Sequence, residues 1–494
     1  MEQEQKNGYR QVFKATSVFG GVQVFNILIG LVRTKVVAVL LGTTGYGFMT
    51  LLNAPLGFIG NLTGLGIAFS AIRDISSANE TNDQVKLGTT LKTFQRWVWL
   101  TGLLGMFTVL VLSPWLSQWS FGSKDYTWAF ILISVTLLIN SISGGQSAVL
   151  RGTRKIKDTA KAGVWGSVLG LSTSIPLYYL YGVKGVVPAL IISAIASLYF
   201  SWYFSKKVKV APVQVGYRES YVQGKQMIKL GVMMTLTGLI GSGISYLVIL
   251  LIGDIGGVEE VGLYNAGWSI TDQYVGLVFA AMGADYYPRL AGIHQDNIKI
   301  KEVVNQQAEI AILIIAPIML FYLLSLPILI PLLFTKQFLA IIPFAQWVVL
   351  GMLFKGVSWV MGFILLAKGD TKLYFWTELT ASILLLICNV GGYYFWRLEG
   401  IGIGFVTLYV CYSFLMFVIC KKKYDLSFTK AFSWIFLIQF ALCLFAFMII
   451  RIYKCPTGGY ILGGILFLFS IVYSLRELDK RIDLKLILSK LKRK

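Results

Sequence analysis

The stretch GLVRTKVVAVLLGTTGYG, residues 30–47, decides how the chain must be read. Arg33 and Lys35 interrupt a segment otherwise apolar enough to cross a membrane, with Phe25, Ile27 and Leu28 before them and Val36, Val37, Val39 and Leu40 after. A cation near the bilayer centre costs about 2.5–3.5 kcal/mol on insertion scales. Each of the two therefore needs a reason. They precede Gly42 by 9 and 7 residues, which on a helix is roughly 14 and 11 Å below the glycine-rich turn GTTGYG. Two positions apart is about 200° of helical rotation, so they cannot share a face. One can point into a polar interior while the other snorkels or packs elsewhere.

The rest of the composition agrees with a membrane reading. The 494 residues are 56% hydrophobic and 14% charged, where soluble domains run about 25% charged. A net charge of +21 raises the question of nucleic acid. The basic residues, however, sit in short clusters between apolar runs of about 20 residues, the length that spans a bilayer. That pattern sets topology and makes no nucleic-acid groove. Five cysteines include no CxxC pair, and neither a metal site nor a disulfide framework is expected. The start, MEQEQKNGYRQVFKAT, lacks a short apolar stretch with a small-residue cleavage site, so the first helix is expected to be retained.

Hydropathy predicts an all-α polytopic membrane protein with fourteen spans, at 12–41, 46–71, 97–117, 127–150, 163–182, 185–205, 229–252, 261–288, 308–334, 341–367, 373–396, 401–420, 431–452 and 457–475. Lys and Arg in alternate connections divide 35 to 6, and the remaining three, Arg33, Lys35 and Lys355, lie inside spans. The excess marks the cytoplasmic side and puts both termini there. The chain also repeats itself. GYGFMTLLNA (45–54) matches EVGLYNAGWS (260–269), with Gly47 opposite Gly262; LRGTRK (150–155) matches LAKGDTK (366–372); YGVKGVVPAL (181–190) matches WRLEGIGIGF (396–405), with Gly185 opposite Gly400. The offsets are 215, 217 and 215. Six spans per copy give two lobes in the same orientation. The expected divisions are a first lobe at 1–205, a polar linker at 206–228, a second lobe at 229–420, two further helices at 421–475 and a basic tail at 476–494.

Several spans carry a polar face. Thr136, Asn140, Ser143, Gly144 and Ser147 recur at helical spacing in the fourth span, and Asn53, Gly57, Gly60, Asn61 and Gly64 in the second. Packing of helices through small residues accounts for most of the glycines and serines. It accounts less well for Asn53, Asn61 and Asn140, and not for Asp272, which lies about 11 residues into its span. Enzyme signatures are absent: there is no GxxxxGK[ST], HExxH or GxSxG, and the single histidine, His294, stands in the loop sequence AGIHQDN. No enzyme activity, cofactor or metal is expected.

The chain resembles the Wzx-type O-antigen flippases of the multidrug/oligosaccharidyl-lipid/polysaccharide (MOP) superfamily. The resemblance covers nearly the whole length. It is carried by RTKVVAVLLGTTGYGFM in the first span, LTGLGIAFSAIRDIS (62–76), WSITDQYVGL (268–277), YYPRL (286–290), and the glycine-led entries GVVPAL and GIGIGF. It implies two six-helix lobes around a cavity that opens alternately to either side of the bacterial cytoplasmic (inner) membrane. The implied cargo is an undecaprenyl-pyrophosphate-linked glycan, the implied neighbours are membrane lipids and the polysaccharide polymerase machinery, and no ATP is used. Carried residue by residue, the family's first-span cation falls on Lys35, its acid of the eighth span on Asp272 and its basic residue ending the second span on Arg73. Arg33 and Lys355 match no family position and join the substrate-binding candidates Lys35, Arg73, Asn53, Asn61 and Asn140 on their own chemistry. Asp272 is the candidate for ion coupling. A lipid II flippase or a drug/cation antiporter of the same superfamily stays open, because the span interiors set Arg33, Lys35 and Lys355 against Asp272, Asp285 and Glu378.

The charge asymmetry makes a topological prediction. In a background without the native cysteines, cysteine at Lys209 or Lys485 should resist an impermeant thiol reagent applied to whole cells, and cysteine at Thr43 should react. The reverse pattern would overturn the assignment of sides.

Overall fold

In a computed structural model, the chain is described for residues 2–81, 83–208, 210, 212–293, 295–452 and 456–482. Side chains before Leu28 and a set between 223 and 285, including Asp272 and Asp285, fall outside that description. So do Lys209, His294 and the tail from 483, with Lys485. No strand occurs among the described residues. The helices are α1 (Glu2–Gly64), α2 (Ile67–Glu80), α3 (Gln84–Phe121), α4 (Thr127–Gly152), α5 (Ile156–Tyr181), α6 (Val186–Ser205), α7 (Tyr217–Gly292), α8 (Asn297–Leu333), α9 (Ile342–Ala367), α10 (Thr371–Tyr424), α11 (Lys430–Ile452) and α12 (Pro456–Ile482). Among the described residues ten helical segments are long and apolar enough to cross a membrane. Without water to satisfy backbone polar groups, helices are what a chain of this composition must form there.

The long segments are broken at single residues. Gly42 has φ 66, ψ −166 within α1, and Gly257 has φ 78, ψ 179 within α7. This corner of φ/ψ space is open essentially to glycine alone. The GTTGYG turn is therefore a one-residue break at Gly42 with helix on both sides. The breaks recur with the spacing of the sequence repeat: Gly42 and Gly257 differ by 215, as do Gly182 (φ 54, ψ −132) and Arg397 (φ 53, ψ −140). Arg154 (φ 57) and Gly369 (φ 70) make a third such pair. Each ends its helix with the same six-to-one hydrogen bond, from Lys155 N to Leu150 O at 2.8 Å and from Asp370 N to Leu365 O at 3.0 Å. The middle match of the sequence repeat, aligned at 217, thus sits at 215 in the backbone. Arg397 carries a side chain where the first copy has glycine, a strain of order 1–3 kcal/mol.

One expected span ends early. The second was read to 71, but Leu65 (φ 49) and Gly66 (φ 61) turn left-handed and separate α1 from the short α2. Two carbonyl-facing glycines explain the tight fit there. A Cβ on Gly66 would stand 2.3 Å from Gly231 O, and one on Gly231 would stand 2.5 Å from Leu65 O.

The chain divides into two compact units, Met1–Gly262 with Leu333–Thr335, and Leu263–Leu332 with Lys336–Lys494. In the first, the 217–262 part of α7 packs on the second half of α1. Phe58 stacks on Tyr246 with centroids 6.1 Å apart. Thr43 donates to Glu259 Oε1 at 2.9 Å. Gly47 and Gly262 meet backbone to backbone: a Cβ on Gly47 would lie 1.8 Å from Val258 O, and one on Gly262 would lie 2.2 Å from Thr43 O. Gly47 and Gly262 are themselves 215 apart, as are Thr43 and Val258, the residues whose carbonyls they face. The segment after α6 is fastened to the same unit by cations. Lys92 donates to Val213 O at 2.8 Å, Arg96 to Val215 O at 3.0 Å and Ser220 Oγ at 2.6 Å, and Lys155 to Lys207 O at 2.8 Å. In the second unit, Glu309 of α8 accepts from Arg481 of α12 at 2.6 Å and from Thr429 at 3.1 Å, and so ties α12 and the start of α11 to α8.

Thr43 is 4% exposed, so Thr44, which is exposed, is the better outer cysteine reporter. The glycine contact has a direct test in thermal unfolding of the purified protein. Gly47→Ala should cost about 1–3 kcal/mol, the range of overpacking. Gly57→Ala, where a Cβ meets nothing within 4 Å, should be neutral or stabilising by up to about 1 kcal/mol.

Candidate functional site

The first unit encloses a chamber of about 770 Å³. Its walls come from α1 beyond the Gly42 break, the start of α2, α3, α4 and the early part of α7. The polar face read on the second span, Asn53, Gly57, Gly60, Asn61 and Gly64, lines it in full. From α4 come Thr136, Asn140 and Gly144. Three predicted site residues, Asn53, Asn61 and Asn140, are thereby brought to one space, and all three side chains are exposed to it. Asn53 donates Nδ2 to Met49 O at 2.8 Å, one turn back, which orients its amide. Gly57, Gly60, Gly64 and Gly144 would each hold a Cβ in open space, so at these positions glycine widens the chamber; no packing partner is the reason.

Among the described residues no Asp, Glu, Lys, Arg or His lines this chamber. Its chemistry is that of amides, hydroxyls, glycine backbone and aliphatic wall. Such a surface can donate and accept hydrogen bonds with neutral polyhydroxylated groups, and has no charge with which to hold a cation. Sequence reading missed the contribution of α7, Thr235, Gly238 and Leu239. Its only signal was the spacing of Thr235 and Gly238 on an otherwise apolar span.

The cations lie elsewhere. Lys35 is half-buried and donates Nζ to the carbonyl oxygen of Phe334, just past the C-terminus of α8. Orphan carbonyls and the negative end of the helix dipole make this a natural seat for an ammonium. Arg33 is half-buried two residues earlier. Arg73 lies on α2, 67% exposed, with its guanidinium on Asp74 at 2.8 Å. Asp272 lies in α7, and its side chain is outside those described.

Lys355 lines a second cavity, of about 370 Å³, wholly within the second unit. Its ammonium is 5.7–5.9 Å from the ring centroids of Phe279, Phe405 and Tyr409, within cation–π range. Glu378, which sequence reading counted but did not select, lines the same cavity and accepts from Tyr412 Oη at 3.4 Å. With Trp359, Tyr374 and Tyr412 it forms an aromatic pocket holding one charge of each sign. Only tertiary packing unites these residues, because Lys355 and Trp359 lie on α9 while Tyr374 and Glu378 precede, and Tyr412 follows, the break at Trp396–Arg397 within α10.

Helical spans around a polar chamber define a membrane transporter, and the comparisons agree. The structure aligns with the lipid II flippase MurJ in an inward closed conformation, TM-score 0.71, at 13% identity over 94% of this chain and 98% of that one. It aligns with an inward-facing multidrug resistance MATE family transporter of the MOP superfamily, TM-score 0.67, at 18% identity over 83% and 98%. The chain belongs to the polysaccharide biosynthesis protein family, whose pattern matches residues 36–343. Its relatives include the lipid III flippase of Escherichia coli strain K12, 23% identical over 370 residues, 72% of this chain and 86% of the relative. A Shigella flexneri protein described as an O-antigen transporter is 25% identical over 292 residues, 58% of this chain and 67% of that protein. These relatives are flippases and transporters by name, not enzymes, as the missing catalytic motifs led one to expect.

Proposed function

We propose that this protein is a flippase that moves an undecaprenyl-pyrophosphate-linked oligosaccharide of the O-antigen repeat-unit type from the cytoplasmic to the periplasmic leaflet of the bacterial inner membrane by alternating access. The observation that carries the reading is the chamber in which Asn53, Asn61 and Asn140 converge, with no ionisable group among the described residues that line it. A glycan needs such a surface to shed water and cross. A cationic drug would need an acid there, which weighs against the antiporter alternative; a lipid II flippase remains the nearest competitor. The names of the relatives point to lipid-linked saccharides as cargo.

In this reading the breaks at Gly42, Gly182, Gly257 and Trp396–Arg397 each divide one long apolar segment into two crossings. Ten segments then become fourteen spans, two six-helix lobes in parallel plus two C-terminal helices, with both termini cytoplasmic. The lobes are 1–205 and 229–420, joined through 206–228, and the polymerase machinery is a partner downstream. The glycan occupies the amide-lined chamber while the lipid tail stays in the bilayer. Lys35 is the first candidate for the pyrophosphate, with Arg33, Arg73 and Lys355 behind it. An ammonium has three hydrogens to donate, so a carbonyl partner at Phe334 is compatible with a phosphate on the same group. Asp272 carries the coupling ion.

Complementation of a flippase-null strain, normalised to protein level in the membrane, tests the cation. Lys35→Ala should cut transport at least about tenfold, the loss of one charge-assisted bond in a desolvated site. Lys35→Arg should keep a good part of it, and Arg33→Ala should be mild. If Lys35 only seats the end of α8, Lys35→Ala will instead lower the unfolding temperature and the membrane level, with transport per molecule unchanged. For coupling, Asp272→Asn should leave a folded protein that no longer exports against a gradient; full export by that variant would remove Asp272 from the mechanism.

A further inference from the structure

Helices α3 and α4 form a wall with two sides. Thr101, Gly102 and Gly105 of α3 and Asn140, Ser141 and Gly144 of α4 face the chamber. The opposite side, with the outer face of α6, forms a groove. Its apolar part has a volume of about 640 Å³ and is lined by Phe94, Trp99, Ile142, Ile195, Leu198 and Tyr199. Trp99, Ile195 and Tyr199 are about half exposed, at 51%, 50% and 54%, so the groove is open along its side. Gln95, Gln146, Val149 and Trp202 line this part and also a second space of about 640 Å³ at the end of α6, so the two adjoin. The second space is polar and basic. Lys92, Lys206, Ser205 and Gln214 line it, and among the described residues no acid lines either part.

We propose that this groove binds an anionic glycerophospholipid, with an acyl chain along Trp99, Leu198 and Tyr199 and the phosphate between Lys92 and Lys206. The charge and the shape both argue for it. An apolar channel open to the side suits a chain from the bilayer, and two lysines without an acid at its end suit a phosphate. Trp202 stands at the junction with the Lys206 ammonium 5.1 Å from its ring centroid, the position aromatic residues take at the headgroup level. Lys92 is held in place by Val213 O at 2.8 Å. The occupant is a bilayer lipid and not the cargo. Chamber and groove are separated by tight packing, with Ser141 Oγ on Val98 O at 3.0 Å and a Cβ on Gly145 only 3.0 Å from the Val98 methyls. A glycan in the chamber could not keep its adjoining pyrophosphate at Lys206. Because the bound lipid backs the chamber wall, its occupancy is coupled to the packing of α3 on α4. The proposal stands on the membrane fold and does not depend on the cargo assigned above.

The test uses the purified full-length chain in zwitterionic detergent, titrated with phosphatidylglycerol and with phosphatidylcholine, and bound lipid is read by native mass spectrometry. Wild type should prefer phosphatidylglycerol at least about fivefold, the effect of a single lysine at a membrane surface, and Lys206→Gln should remove a factor of about five from that preference. Leu198→Trp should fill the apolar part and lower binding of both lipids. Neither variant should shift the unfolding temperature in phosphatidylcholine, and if one does, the other carries the test. Absence of a preference in wild type, a preference that Lys206→Gln keeps, or lipid binding that Leu198→Trp leaves unchanged overturns the proposal. Displacement of the lipid by inorganic phosphate at equal concentration would reduce the site to an anion site. Displacement by polyprenyl phosphate ahead of phosphatidylglycerol would return the groove to the cargo. Either result overturns the lipid assignment.

Discussion

A backbone inside lipid must satisfy its own hydrogen bonds, and that constraint governs everything else in this protein. A spanning helix can stop only where its last carbonyls find a partner or where one residue turns the chain sharply enough to begin the next helix. The chain solves this with left-handed residues, and it uses the same solution twice. Gly42 and Gly257, Arg154 and Gly369, and Gly182 and Arg397 occupy matching conformations 215 residues apart. Two of these breaks are followed by glycines that let backbone meet backbone. Gly185 approaches Leu177 O and Gly400 approaches Gly392 O so closely that a Cβ would stand at 2.3 and 1.8 Å. Those partners are again 215 apart. A duplicated sequence has kept its corners while its helix faces diverged.

The cations follow from the same constraint. In a soluble protein Lys and Arg mostly point into water. Here Lys35, Lys92, Arg96 and Lys155 donate to carbonyl oxygens at helix ends and in the segment after α6. Lys35 supplies a donor to a helix-end carbonyl, and the other three fasten the polar segment after α6 to α3 and to the start of α5. The charge that makes the chain so basic thus partly serves to finish its backbone. That use is consistent with a second role at a phosphate, because an ammonium or guanidinium has more donors than one carbonyl consumes.

Small residues divide into two kinds that look alike in the sequence. Gly47, Gly66, Gly231 and Gly262 are small because a backbone lies where a Cβ would be. Gly57, Gly60, Gly64 and Gly144 are small because nothing lies there, and the resulting space is the chamber. The first group holds α7 on α1. The second gives a glycan-sized volume an unobstructed wall beside three asparagine amides.

What the sequence by itself determined is what depends on periodicity and composition. The membrane class follows from apolar runs of bilayer length, and the repeat follows from three matches near one offset. The polar faces of the second and fourth spans follow from helical spacing, and that spacing brought Asn53, Asn61 and Asn140 onto the list together. Motif absence likewise removed the common hydrolases. Tertiary structure decided what depends on distance between residues far apart in the chain. It narrowed the GTTGYG turn to a one-residue break at Gly42, moved the middle repeat match from 217 to 215, and set the end of the second span at Leu65 and Gly66. It also put Lys35 on the Phe334 carbonyl, Arg73 on Asp74, and Glu378 beside Lys355 among aromatic rings. A helical face can be read from one segment because its period is local. The partner of a charge cannot, because it is chosen by packing across some 300 residues of intervening chain, as for Lys35 and Phe334.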